Sequence, residues 1–359
     1  MAIQDKLRIG LALPHEVKVA KAKMTLRSFI DFFGEDNCFV SYSAGKDSTV
    51  LKDLAGQGYN IESVYFDTGL EYPENVAMAK AQGATVIKTN YSFKKLGEER
   101  GYPVVSKEMS KYLHDVRLSK SSYTVITRLL SKNYCVSSKW LHFLVVEYEI
   151  SDYCCTAYKK GPSKAFTKAT GKYPIIGTRV EESKLRQNQW LRHGCNSFDN
   201  KISSKPLSLF SDEDVDTYIE EKKLELPETY TVHGLRRTGC VNCPYGAHLE
   251  KGENRFEKLL KTHPKLYRAW MKTQIRIILM DMGVEIKNDP EYMAEVIKHK
   301  AKIAAWHKGA KGSDNYLSYK IDYLKARFTP EELCQGWERY KNSNYKCRYE
   351  AAEVEEKLF

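Results

Sequence analysis

The chain of 359 residues is long enough for one large domain or for two of ordinary size, each with its own core. Its 42% hydrophobic and 29% charged residues describe a soluble globular protein. No window reaches the roughly 18 uninterrupted apolar residues of a membrane helix, and "MAIQDKLRIGLALPHEVKVA" has no apolar stretch followed by a cleavage site, so a cytoplasmic protein without a membrane partner is expected. Nine cysteines in that setting argue against a disulfide framework and for metal binding or thiol chemistry. The formal charge of +11 is uneven: residues 88–139 hold eleven Lys/Arg against four Asp/Glu, and 298–327 hold eight against two. Both segments carry aromatic residues, among them Tyr112, Tyr123, Trp306, Tyr316, Tyr319 and Tyr323, with Trp140 just beyond the first. Cations interleaved with rings suit a nucleic-acid backbone and its bases; they equally suit a solvated basic face with tyrosine packed beneath it.

In chain order, a basic amphipathic helix is predicted over about 15–33, within an N-terminal segment 1–34. "NCFVSYS" reads as a short strand that stops at "AGKDS", and "DSTVLKDLAGQG" as a helix with Val50, Leu51 and Leu54 on one side. "IESVYFD" is the next strand, "PENVAMAKAQG" a helix with Pro73 in its first turn, and "ATVIKTN" a third strand. "YPIIGTR" at 173–179 is a further buried strand, and "SDEDVDTYIEEKKL" opens with a serine cap and an acidic first turn. Strands alternating with helices imply a doubly wound α/β fold with a mainly parallel sheet over 35–250, carrying a basic insert at about 91–150. Two long helices, 253–283 and 290–309, imply a helical C-terminal subdomain over 251–359.

"SYSAGKDSTV" lies between a strand and a helix, where a parallel sheet binds phosphate. Ser43, Ala44 and Gly45 turn the chain so that backbone N–H groups point outward, and the helix starting near Asp47 adds its positive end. Lys46 supplies a point charge, and Ser48 and Thr49 supply hydroxyl donors. The spacing matches neither the GxxxxGK[ST] nor the GxGxxG loop, and by turn chemistry alone a Ser-capped strand-to-helix turn is the other reading.

The loop resembles the SGGxDS signature of the PP-loop ATP pyrophosphatases, with Ala44 in place of the first glycine. "YFDTGLEYPENV", "GTRVEESKLR" and "KPLSLFSDEDVDTYIEEKKLELPETY" follow in the order and spacing of the phosphoadenosine phosphosulfate reductase branch, so the resemblance covers about 35–250. It implies an adenine nucleotide alpha-hydrolase-like sheet. It also implies cleavage of ATP between the α and β phosphates, with Asp67, Thr68, Gly69 and Glu71 lining the nucleotide side and Arg179, Glu182, Ser183 and Arg186 facing the phosphates or the substrate. Arg179 follows a strand, so it is delivered to the sheet's carboxyl end; Glu182 and Arg186, four apart, also fit a surface helix ion pair.

Cys240 and Cys243 form a C-x-x-C in "RTGCVNCPYGAH", and Cys154 and Cys155 stand side by side in "SDYCCTAYKK". This resembles the ligand pattern of the iron–sulfur sulfonucleotide reductases. Adjacent cysteines curl poorly onto one zinc, whereas the irons of a 4Fe-4S cluster sit at separate corners; zinc is the runner-up metal. Cys38, Cys135, Cys195, Cys334 and Cys347 have no such spacing, and Cys38 reads as core.

Two departures from the reductases matter. Lys46 and Asp47 are those of an ATP-cleaving loop, and the tail "NYKCRYEAAEVEEKLF" lacks the "ECGLH"-like motif of the attacking cysteine, although it contains Cys347. The combination resembles the ATP pyrophosphatase of DNA phosphorothioation systems and, more distantly, the tRNA thiolases. The resemblance implies ATP, Mg2+, nucleic acid (DNA or tRNA) and a sulfur-donor protein such as a cysteine desulfurase, with Lys46, Asp47 and Arg179 catalytic. A reductase of adenylyl sulfate nucleotides and a non-catalytic nucleotide-binding module are the alternatives.

Overall fold

The computed structural model describes residues 3–89, 91–199, 201–235 and 238–359. The chain divides into two compact units, Met1–Asn90 with Ala157–Val241 and Tyr91–Thr156 with Asn242–Phe359. It begins in the first with α1 (Ile3–Leu11), α2 (His15–Phe33), β1 (Cys38–Tyr42), α3 (Lys46–Gly56), β2 (Glu62–Asp67), α4 (Pro73–Ala81) and β3 (Thr85–Lys88). The second unit opens with α5 (Phe93–Arg100), α6 (Lys107–Leu118), α7 (Ser122–Leu130) and the single turn α8 (Tyr153–Cys155). The first resumes with α9 (Gly161–Thr170), β4 (Tyr173–Ile176), α10 (Lys184–His193), β5 (Asn196–Ser197), β6 (Ser203–Ser204), α11 (Asp212–Lys222) and α12 (Glu228–Thr231). The second is completed by α13 (Arg255–Thr262), α14 (Pro264–Met271), α15 (Gln274–Asp281), α16 (Pro290–Lys311), α17 (Leu317–Lys325), α18 (Pro330–Lys341) and α19 (Ala351–Leu358).

The sheet of the first unit has the order β3-β2-β1-β4-β6-β5, parallel except for the β5–β6 pair. The chain runs outward from β1 through β2 to β3 and then returns to pair β4 on the other side of β1, with Ser41 opposite Ile176. The order therefore reverses between β1 and β4, the point at whose carboxyl ends open α/β sheets bind their ligands. The N-terminal helix belongs to this unit: Ala22, Leu26, Phe29 and Ile30 of α2 pack with Val50, Leu51 and Leu54 of α3 and with Val40 and Ile175 of the sheet. Cys38 lies in the same core, and burial pushes its thiol up to about 11. Lys18 of α2 meets Asp214 of α11 at 2.6 Å with both side chains buried, and Asp214 also caps Ser211 N–H at 2.7 Å.

The insert and the C-terminal helices, expected as separate pieces, form one unit. The reason is that α7 exposes no apolar stripe: Val125, Ile126, Leu129 and Leu130 are buried, and α18 packs against the helix. The crossing is close at Gly336, where a Cβ would stand 2.9 Å from Tyr123 N. The expected single helix over 253–283 is three. Pro264 disfavours helical geometry at His263 (φ −133°), and the Thr273 hydroxyl caps α15. Nor are most rings of the two basic segments on display, although Tyr91 and Tyr134 are exposed. Tyr112, Trp140 and Tyr316 are buried, Tyr123, Trp306, Tyr319 and Tyr323 are half-buried, and Trp306 packs edge-on against Tyr319 at 5.2 Å. Most of these rings are at least half covered by their surroundings.

Candidate active site

The loop between β1 and α3 turns on Ala44, whose φ of +54° is the left-handed conformation that favours glycine. Its hydroxyls face inward on the loop itself. Ser48 Oγ donates to Gly45 O at 2.9 Å and accepts the Ser43 N–H at 3.1 Å, while Thr49 Oγ1 donates to Gly45 O at 3.1 Å. Gly177, after β4, is the loop's other wall: a Cβ there would stand 3.0 Å from Asp47 O, so a larger residue would press on the first turn of α3. The first amide of α3, Lys46 N–H, meets the Tyr230 hydroxyl at 3.4 Å, and that hydroxyl also receives Thr238 N–H at 3.2 Å. Lys46 Nζ lies 2.6 Å from Asp216 of α11 and is about one-third exposed.

Arg179 is the buried cation of the site. Its Nε lies 2.7 Å from Asp47, Nη2 2.5 Å from Asp212 and Nη1 3.4 Å from Glu181. Burial works against its charge, but the Asp47 and Asp212 carboxylates prevail and its pKa is raised. For Asp47 burial outweighs Arg179, and the carboxyl is pushed up. Glu182 accepts the Arg179 N–H at 2.9 Å and pairs with Arg186, as the four-residue spacing allows, and Ser183 caps α10 through Arg186 N–H. After β2, Glu71 accepts the Thr68 N–H at 3.1 Å and its hydroxyl at 2.7 Å, and Asp67 accepts the Gly69 N–H at 2.9 Å, Gly69 having a φ of +72°. These four residues shape a tight turn whose Leu70 O receives Val241 N–H at 2.6 Å.

That bond carries the C-x-x-C segment. Cys240 lies near Tyr65, whose phenol is pushed up by burial and, more weakly, by Glu71, Asp67 and Cys240. In the second unit Cys154 and Cys155 occupy the turn α8, followed by a π-helical turn over Thr156–Lys160. The buried Tyr245 hydroxyl makes no hydrogen bond of ordinary geometry, with Ser110 beside it, and its pKa is raised by burial and then by Cys154, Cys155 and Cys243. Three thiols of the second unit thus lie near enough to this phenol to act on it electrostatically.

The family model of the phosphoadenosine phosphosulfate reductase domain matches residues 37–245, more than half of the sequence. The chain belongs to this family. An uncharacterized protein of Methanocaldococcus jannaschii is 24% identical over 236 residues, 64% of this chain and 40% of that protein, so the chain spans well under half the length of that relative. Among solved structures, phosphoadenylyl-sulfate reductase from Candida auris in a phosphate complex is 14% identical, covering 66% of this chain and 93% of that one at a TM-score of 0.38. The U34-tRNA thiolase NcsA from Methanococcus maripaludis with its [4Fe-4S] cluster is also 14% identical, covering 73% and 80% at a TM-score of 0.34.

Within this family domain the sequence-derived residues Ser43–Thr49, Asp67–Glu71 and Arg179–Arg186 all follow the carboxyl ends of β1, β2 and β4. Sequence reasoning missed Asp212, Asp216, Tyr230, Thr238 and Gly177 as parts of the site. The first three stand in the matched segment 205–230, where acidic residues read as a helix start hid two salt-bridge partners.

Proposed function

We propose that the chain is an ATP-cleaving sulfur-transfer enzyme acting on nucleic acid. The observation that carries the reading is Lys46 and Asp47 at the β1–β4 switch point, beside the buried Arg179. In the reaction a substrate oxygen attacks the α-phosphorus of ATP, the bond to the α–β bridging oxygen breaks, and pyrophosphate leaves toward the amides of residues 43–49. The outer sulfur of a persulfide, delivered by a donor protein such as a cysteine desulfurase, then attacks the activated position and displaces AMP. A dithiol reductant cleaves the resulting disulfide, leaving the sulfur on the substrate and the donor as a free thiol. Lys46 leaves Asp216 for the departing phosphates, and Tyr230 gives up the Lys46 N–H to them. Arg179 holds Asp47 and the loop in register and offers its remaining N–H groups to the α-phosphate.

Asp47, Asp212 and Asp216 are already paired with Arg179 or Lys46, so Mg2+ fits as an ion carried by the phosphates, where it neutralises their charge. Cys154, Cys155 and Cys243, with Cys240 as the fourth thiolate, would hold a 4Fe-4S cluster, which supplies a Lewis-acidic iron and a sulfide-binding surface. The second reading is favoured by the family itself: a sulfonucleotide reductase, releasing sulfite from an adenylyl sulfate with a dithiol reductant. Anaerobically purified protein given ATP, with water standing in for the substrate oxygen at the α-phosphorus, or given adenylyl sulfate separates them. AMP and pyrophosphate from ATP, lost in Lys46→Ala, are expected; sulfite from the sulfonucleotide with no ATP turnover overturns the first reading. Brown protein that turns colourless in Cys154→Ser supports the cluster, and colourless wild type with stoichiometric zinc refutes it.

A further inference from the structure

Helix α16 has two unlike faces. One is packed: Tyr292 and Val296 are buried, His299 bonds Asp281, and His307 bonds His142 and Tyr316. The lysine on the flank of that side, Lys300, pairs with Glu285 at 2.5 Å. The other face, over the last four turns, exposes Lys298, Lys302, Lys308 and Lys311. None of these four ammonium groups has a hydrogen-bond or ion-pair partner among the described residues. No Asp or Glu occurs between Glu295 and Asp314, and the exposed Glu291 and Glu295 in the first turns face Arg276 at 4.0 and 2.8 Å. Between the lysines lie exposed Ala301, Ala304, Ala305 and Gly309, the last with open space where a Cβ would be. The result is a smooth cationic ridge about 20 Å long at 1.5 Å per residue.

We propose that this face of α16 is the docking surface for the phosphodiester backbone of duplex DNA. The inference rests on the reading above that the substrate is nucleic acid, and it names where and what kind. Charge complementarity selects a polyanion, and the small side chains let it approach the helix closely. A single strand needs exposed rings to stack on, and the tryptophan and tyrosine rings of this segment are half-buried or buried, Trp306 and Tyr319 being engaged edge-on with each other. An A-form RNA duplex is read largely through 2′-hydroxyls, which call for acceptors as well as donors, and this face offers only ammonium groups. The major groove of B-DNA, about 12 Å wide, admits one side of an α-helix. With no Arg, Asn or Gln on the ridge, contact is to phosphates and is independent of sequence.

The test is a full-chain variant with Lys298→Gln, Lys302→Gln, Lys308→Gln and Lys311→Gln, titrated by anisotropy against a labelled 30-base-pair duplex at several salt concentrations. Four phosphate contacts predict that the slope of log affinity against log salt falls by about 3 to 4, at roughly 0.9 per contact. Duplex affinity falls at least tenfold while the melting curve and ATP-to-AMP turnover without nucleic acid stay at wild-type values. If wild type binds duplex DNA and the variant keeps both affinity and slope, the surface is wrong and the nucleic-acid reading stands. Binding of folded RNA but not of duplex DNA through the same lysines overturns the choice of DNA. If wild type binds no nucleic acid at all, the surface and the underlying reading fall together.

Discussion

In the first unit buried cations meet carboxylates, Lys18 on Asp214 at 2.6 Å and Arg179 on Asp47 at 2.7 Å, whereas in the second the buried polar groups include a chain of neutral rings. There His142 bonds His307 at 3.1 Å and Asp281 O at 2.9 Å, and His307 bonds Tyr316 at 3.1 Å. The difference teaches where acidity acts. Ion pairs of Lys and Arg keep their charge across the physiological range, so the loop of the first unit is held by fixed charges. A His–His hydrogen bond requires one ring to accept, so the anchor of α16 depends on the rings staying unprotonated.

The contrast predicts a graded set of outcomes. Lys18→Met leaves the Asp214 carboxylate buried without its main partner and should cost the first unit about 3 to 5 kcal/mol. The loss is measurable as reduced hydrogen-exchange protection in α2 and α11, with α16 unchanged; equal loss in both units would dissolve the comparison. Lys46→Ala should lower ATP-to-AMP turnover by about 10^2 to 10^3 without changing melting, because Lys46 is paired at the surface and reserved for phosphate.

Acid should act on the second unit. Burial holds His142 down to about 4 and also lowers His307. Because these folded values lie below the unfolded one, the unfolded chain takes up protons first. The stability they contribute is complete above about pH 6.5 and is lost as pH falls toward 4, by about 3 kcal/mol for His142. Exchange protection in α16 should fall over that window while β1 holds, and His142→Phe with His307→Phe should flatten the profile. The smallest effect is at Ala44. Ala44→Gly relieves the left-handed backbone but removes a buried methyl, so stability should change by less than about 1 kcal/mol with turnover retained, while Ala44→Val should fail on both counts.

Much of the first unit was legible because its signals are local. The run "NCFVSYS", the glycine at 45, the cap at Ser211 and Pro73 in a first turn each specify their element within a few residues, and all four were met. The Arg186–Glu182 pair was legible from spacing alone. Tyr230 and Asp216 were not, because nothing in a tyrosine or an aspartate announces which lysine it will meet from 170 or more positions away. The same limit hid the union of the insert with the C-terminal helices, which depends on α7 finding its cover in α18, whereas the helix expected at 253–283 is split by local signals, Pro264 and the Thr273 cap.

By itself the sequence determined the alternation of strand and helix, the phosphate-type loop, the strand-end position of Arg179 and the spacing of four cysteines, since each is written in residues close together. Only the tertiary structure decided that Lys46 rests on Asp216, that Arg179 serves three carboxylates and that Cys154, Cys155 and Cys243 lie near enough to act electrostatically on Tyr245. It also decided that Trp306 and Tyr319 engage each other edge-on while the lysines of the α16 ridge stay exposed. Those facts concern which buried group meets which partner, and a chain settles them by packing, after its local structure is already fixed.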